Sequence, residues 1–343
     1  MQTTKKPEPP KNALNVDAIT AALLVGFLFS TFIFIGFLAL FYFPPYILPG
    51  GPELWAILFT VISAFMYLVS LQLDKRNKIA WFKVLAVLLA AFFVGSLCVF
   101  FDLYAIGLGL IAFIVVPGVI CSVVCVSYPG YYTEISIRGK IVSVTIIAVF
   151  GFVAIAGIAS IAIPDLGIKA GFMIYGIAAL VLIPLSLLSG KSAQIQFICQ
   201  SHRVAWCEHA NHLELKKYFI VLFMYKICLG MVLQVYLVKT DIISPIQTWA
   251  IIGSVAALIA PFLGHLTDKK GRKLMFNLAC ALLALLFGLF AFTGQGSLGE
   301  WYLGVLLIGG VLIGVSYPAM LLSEYLIFQE LSDDVSRLQT FAR

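Results

Sequence analysis

Lys226 stands deep inside an apolar run, residues 217–238, where a charge is out of place. At 1.5 Å per helical residue its Cα lies roughly 13 Å into the run. A charge near the centre of a bilayer costs about 2.5–3.5 kcal/mol on the insertion scale and marks a functional candidate. Gly230 and Gln234 follow at i+4 and i+8, so the three share one helix face, with Tyr225 and Tyr236 at its flanks. An ammonium and an amide on one stripe could hold a carboxylate, a phosphate or a hydroxyl-rich solute. The alternative is that Lys226 extends to the membrane interface while Gln234 bonds a neighbouring helix. Further hydroxyls lie mid-run at Ser30, Thr31 and Tyr317. They are weaker candidates, because Ser and Thr in spans commonly bond their own backbone.

A second constellation is charged and lies between runs. Gly264-His265-Leu266-Thr267-Asp268-Lys269-Lys270-Gly271-Arg272-Lys273 separates two apolar segments. A fainter copy, Asp74-Lys75-Arg76-Asn77-Lys78, separates two others far upstream. The repeat predicts two related halves, each with a charged turn after its second helix. A third charged pair, Glu134 and Arg138, follows the fourth run at i, i+4, a spacing that allows a helical ion pair.

The elements that carry these residues are set by composition. The chain of 343 residues is 62% hydrophobic and 11% charged, where soluble domains carry about 25% charge. Ten helix-length apolar runs alternate with short polar loops: roughly 18–42, 53–73, 79–101, 103–127, 140–163, 169–189, 217–238, 247–266, 274–293 and 300–327. Each is long enough to span a bilayer, and lipid-exposed backbone must satisfy its own hydrogen bonds, which selects helices. The predicted fold is all-α: a polytopic membrane protein of about ten transmembrane helices in two bundles, six plus four. Residues 1–17 are expected to be a disordered cytosolic N-terminus. Residues 18–189 are expected to form the first bundle, 190–216 a cytosolic linker loop that either holds a short amphipathic surface helix or is simply flexible, and 217–343 an incomplete second bundle of four helices.

The net charge of +6 is topological and does not point to nucleic acid. With the N-terminus inside, Lys169 and Lys239 are the only bases in outside loops, and all others but Lys226 fall inside. That is the positive-inside bias, and it predicts a multi-pass cell-membrane protein. None of the seven cysteines sits in an outside loop, so no disulfide framework is implied. Cys199, His202, Cys207, His209 and His212 fit no common zinc spacing, and no metal is expected there. No enzyme constellation and no phosphate-binding G-x-x-x-x-G-K-[ST] loop occurs, so no cofactor is implied.

The pattern made by Gly264, Asp268, Lys269, Gly271, Arg272 and Lys273 resembles the signature loop of the major facilitator superfamily, G-x-x-x-D-[RK]-x-G-[RK]-[RK], at every position. Pro129-Gly130-Tyr131-Tyr132-Thr133-Glu134 resembles the P-x-Y-x-x-E of its sugar-porter branch, although other branch features are missing. The resemblance implies two rocking bundles and transport of a small solute by alternating access. It implies that Asp268 caps the start of the fifth helix near Arg138 and Lys140. Gly264, Lys269, Gly271, Arg272, Glu134 and Arg138 would belong to that clamp, and Asp74 and Arg76 to the weaker upstream turn. Family members resemble a six-plus-six arrangement, so the four-helix second half predicts a fragment or shortened product rather than a natural ten-helix protein. Gly309, Gly310 and Gly314 would then face lipid or a second copy. The interiors of runs one to six hold no Asp, Glu, Arg or His, which favours facilitated diffusion over proton coupling. The expected partners are a small-molecule solute and the bilayer. A transport-dead sensor, scaffold or degenerate paralogue is the rival reading.

Overall fold

The computed structural model describes residues 16–41, 79–104, 106–107, 109–111, 138–163, 165–200, 212–238, 245–293 and 301–331. They form eight long helices: α1 (Val16–Phe41), α2 (Ile79–Phe100), α3 (Arg138–Ala162), α4 (Ile168–Gln200), α5 (His212–Val238), α6 (Pro245–Lys270), α7 (Arg272–Thr293) and α8 (Trp301–Leu331). No strand occurs among the described residues. The second apolar run and most of the fourth lie outside them. Six of the helices are long and apolar enough to cross a membrane. Large apolar side chains such as Val87, Phe223, Leu258 and Phe262 point outward, as lipid-facing surface requires.

Part of the linker segment lies within the described residues. Helix α4 continues to Gln200, and α5 begins at His212, so both ends of segment 190–216 are helical. Lys191, Ala193, Gln194 and Gln196 are good helix formers, and no proline follows Pro184 to stop the helix. Once α4 clears the bilayer it has no local reason to end.

Helices α1 to α4 make the first bundle and α5 to α8 the second. In the first, α1 packs on α3 and α4, and α2 on α4. Its core is aromatic: Phe34 stacks on Tyr175 with centroids 4.5 Å apart, and Phe27 meets Phe92 and Phe152 edge-on. In the second, α8 packs between α6 and α7, and α5 lies more loosely against them. The bundles meet along α3 and α6, which run antiparallel. Val142, Ile146, Val149 and Phe150 of α3 belong to the same buried cluster as Met275, Leu283, Met320 and Leu326 of the second bundle.

Small residues permit this approach, as in membrane helix pairs generally. A Cβ on Gly253 would come within 2.9 Å of the Phe150 carbonyl, and one on Gly157 within 3.0 Å of the Ala250 Cβ. The expectation that Gly309, Gly310 and Gly314 face lipid or another copy is corrected. All three are buried, and a Cβ on Gly314 would meet Val255 of α6 at 2.8 Å. At Gly314 the neighbour is helix α6 of the same bundle.

Candidate functional site: a cross-bundle clamp and an intramembrane ion pair

The first four N–H groups of a helix lack intrahelical acceptors, and a side-chain oxygen at N-cap normally takes one or two of them. Helix α3 receives this service from the other bundle. The Gly139 N–H donates to Asp268 Oδ1 at 2.8 Å, and the Lys140 N–H to Asp268 Oδ2 at 3.2 Å. The carboxylate also faces the positive end of the α3 dipole.

Two glycines make the geometry possible, for different reasons. Gly264 lies one turn before Asp268, where α6 crosses α3. A Cβ there would sit 2.6 Å from the Gly139 carbonyl oxygen, and a Cβ on Gly139 would sit 2.6 Å from the Gly264 oxygen. Gly271 has φ of +88° and open space around its missing Cβ. Its N–H donates to the Thr267 carbonyl at 3.0 Å, which closes α6 with a left-handed cap before α7 starts at Arg272. Lys269 and Lys270 are exposed in the last turn of α6, where cations complement the helix dipole. Arg138 opens α3. Asp74, Arg76 and Glu134 lie outside the described residues.

The intramembrane candidates are divided. Lys226 Nζ lies 2.7 Å from Glu324 Oε1 of α8. The side chains are 48% and 15% exposed. Glu324 Oε2 is buried with no hydrogen-bond partner among the described residues. The depth of the pair follows from the register of α7 and α8. Ser316 Oγ donates to the Ala279 carbonyl at 2.9 Å, and Ser323 Oγ to the Arg272 carbonyl at 3.4 Å. Glu324 is therefore level with the start of α7, on the clamp side of the membrane, and Lys226 reaches toward it. Tyr225 is buried, its hydroxyl 2.7 Å from Ser316 Oγ. Tyr317 sets its ring edge-on to Phe150 of α3.

Ser30 and Thr31 are committed elsewhere. The Tyr175 hydroxyl donates to the Ser30 carbonyl at 3.2 Å and also contacts Ser30 Oγ. Thr31 Oγ1 donates to the Phe27 carbonyl, one turn back. Gln234 belongs to α5, with its side chain outside the described part.

Glu324 is the functional candidate that sequence reasoning missed. It is the only charge in residues 301–328, as Lys226 is in residues 218–238. Two opposite, isolated charges in two spans are a signal for pairing, because neither is stable alone in hydrocarbon.

At the far ends of the helices, Asp102 adopts φ of 65° and pairs with Lys169 at 2.6 Å. Lys169 also lies over the Tyr104 ring, 5.8 Å from its centroid. The Lys169 ammonium holds the Asp102 carboxyl below the usual carboxylate range. This cluster ties the end of α2 to the start of α4.

No protein-family model matches the chain, and no curated protein matches it in sequence. Solved structures do match in shape. A bacterial homologue of the iron transporter ferroportin, in an outward-facing state, superposes with a TM-score of 0.61 at 14% identity, covering 96% of this chain and 88% of that one. The proton:xylose symporter XylE, bound to 6-bromo-6-deoxy-D-glucose, gives 0.59 at 14% identity, covering 95% and 83%. XylE from E. coli in a partially occluded inward-open conformation gives 0.53 at 16%, covering 95% and 89%. The fold is that of the major facilitator superfamily.

Within the facilitator fold, α3 and α6 are the fifth and eighth apolar runs, and they are where the two bundles touch most closely. Asp268 therefore lies at the joint between the two bundles. Between the same helices, near the end opposite Asp268, lies a cavity of about 20 Å³ lined by Phe34, Gly157, Ser160, Ile246 and Trp249.

Proposed function

We propose that the chain is a cell-membrane transporter, N-terminus in the cytosol, that moves a small organic solute by alternating access of its two bundles. The observation that carries this is the Asp268 carboxylate on the α3 backbone. A second-bundle side chain that completes a first-bundle helix stabilises one relative position of the bundles and is lost in the other. That makes it a two-state element of the kind alternating access needs.

Solute contact is proposed at the α5 face carrying Lys226, Gly230 and Gln234. A Cβ at Gly230 would meet nothing within 4 Å, and Lys226 and Gly230 are both exposed. Lys226 and Glu324 together are net neutral, which favours a solute that exchanges hydrogen bonds over one that needs bulk counter-charge. Facilitated diffusion is the proposed mode, supported by the absence of Asp, Glu, Arg and His from the interiors of runs one to six.

The test is uptake by proteoliposomes containing the full chain, with sugars, organic acids, drugs, xylose and ferrous iron as candidates. Equilibrative uptake of at least one solute, unaffected by a protonophore and lost in Lys226→Ala with normal insertion, is expected. Uptake of every active solute that survives Lys226→Ala removes the site, and uptake that collapses with the protonophore removes facilitated diffusion.

A further inference from the structure

The side of α8 that carries Glu324 is turned toward the first bundle. Tyr317 precedes Glu324 by seven residues, about two helical turns, so both lie on one side of α8. Tyr317 sets its ring against Phe150 of α3, in the opposite bundle. Ile308 and Val311, two apolar side chains of α8 that point outward, stand roughly 180° and 120° around the helix from Tyr317. The Lys226–Glu324 pair therefore lies on the inter-bundle side of α8 and not on its outward apolar side. On α5, Lys226 stands at the edge of the buried stripe made by Leu222, Tyr225 and Leu229. Its ammonium is half-exposed beside a carboxylate that is largely buried. A solute approaching along α5 meets the N–H donors of Lys226, with Glu324 behind them.

We propose that Glu324 is the specificity-determining residue of the solute path, holding Lys226 in a neutral pair so that uncharged hydroxyl- or amide-bearing solutes bind and carboxylates are turned away. This role rests on the solute contact proposed at Lys226. An ammonium has three N–H donors, and Glu324 Oε1 takes one of them at 2.7 Å. A hydroxyl or amide oxygen can accept another without disturbing the pair. A carboxylate cannot. If it draws Lys226 away, it leaves a largely buried charge uncompensated, and Glu324 Oε2 already has no hydrogen-bond partner among the described residues. If it joins the pair, two carboxylates share one ammonium, and like charges at one site disfavour each other. The surroundings give this sorting a task. Lys140, Lys269, Lys270 and Lys273 are exposed at the clamp face, and a mouth lined by bases concentrates anions. Glu324 sets the charge of the path against that field.

The probes are matched solutes without and with a carboxylate: glycerol and glycerate, lactamide and lactate, glucose and gluconate. Binding is read from the melting temperature of the purified full chain at fixed ionic strength. Carboxylates should leave the wild type unmoved, whether or not their uncharged counterparts bind. Glu324→Gln keeps the shape and removes the charge. Its affinity for at least one carboxylate should rise by about tenfold, the step from a neutral to a charge-assisted hydrogen bond. Glu324→Ser should gain in the same direction, which covers the case in which Glu324→Gln does not fold. The gain should vanish in Lys226→Ala/Glu324→Gln, which locates it at the ammonium. Glu324→Asp keeps the charge and should stay blind to carboxylates. Carboxylates that stabilise the wild type as well as they stabilise Glu324→Gln overturn the proposal. So does a gain that persists without Lys226, or an equal gain in Glu324→Asp, which is loosened packing. Folded Glu324→Gln and Glu324→Ser that gain no carboxylate binding overturn it too. Proteoliposome uptake separates the failure of this role from the failure of transport. A carboxylate gain with no uptake of the probes that bind keeps the charge filter and removes transport. Uptake lost in Lys226→Ala, with no carboxylate gain in Glu324→Gln, keeps transport and removes the filter.

Discussion

Asp268→Ala should shift the protein away from the state closed at the clamp end, by an amount the geometry bounds. The carboxylate accepts two backbone N–H groups, at 2.8 and 3.2 Å, the first partly buried and the second exposed. Loss of an N-cap side chain costs about 1 kcal/mol. Loss of a charge at the helix N-terminus costs about 0.5 kcal/mol more where solvent screens it. The sum of about 1.5 kcal/mol is roughly a tenfold change in the equilibrium between the two bundle positions. Asp268→Asn keeps an oxygen for the Gly139 N–H and loses only the charge, so its shift is about two- to threefold. Spin labels at Lys83 of α2 and Lys273 of α7, both exposed, report the spacing of the bundles at the clamp end by pulsed electron resonance. The long-distance population should grow in the order wild type, Asn, Ala. Identical distance distributions for wild type and Asp268→Ala would refute the idea that this cap biases the joint.

The two motif glycines should fail differently. Gly264→Ala forces a Cβ to 2.6 Å from the Gly139 carbonyl and should cost about 1–3 kcal/mol through overpacking, seen as a lower melting temperature and lost uptake. Gly271→Ala meets no atom but must hold φ of +88°, about 1–2 kcal/mol. Gly271→Asn should recover most of that, and equal damage from Ala and Asn would exclude the left-handed cap as the cause. Lys226→Ala leaves the largely buried Glu324 unmatched. Breaking a buried pair costs about 3–5 kcal/mol, reduced to about 1–2 kcal/mol here by the half-exposed lysine. Lys226→Ala/Glu324→Ala should therefore melt higher than Lys226→Ala while remaining inactive; a double variant that melts no higher would show that the charges are not coupled. At the far end, Asp102 has a lowered carboxyl pKa because of Lys169. Its contribution is complete above the unfolded carboxylate value near 4 and is lost as pH falls through the lower folded value. The thermal stability difference between wild type and Asp102→Asn should be flat from pH 8 to pH 5 and disappear only in strong acid. A difference that vanishes near neutrality would contradict this pairing.

The sequence by itself determined the solvent. Long runs such as 274–293, apolar on every face, can only be helices in lipid, because backbone polar groups find partners nowhere else. It also determined the local form of the clamp turn. Gly271 is where α6 can end in a left-handed cap, and Gly264 and Asp268 lie one turn apart on the same face. What tertiary structure decided are the partnerships between distant residues. Read residue by residue, Asp268 was only a charge, and a family resemblance alone aimed it at the fifth helix; packing set it on the amides of Gly139 and Lys140, over a hundred positions away. The sequence held Lys226 as an isolated base; the register of α7 against α8 supplied Glu324. It offered Ser30, Thr31 and Tyr225 as cavity hydroxyls; burial turned each to a partner in the protein. The division has one physical cause. Hydropathy and backbone conformation are properties of a stretch of chain, whereas an ion pair or a cap given across a joint exists only once two stretches have been brought to a few ångströms.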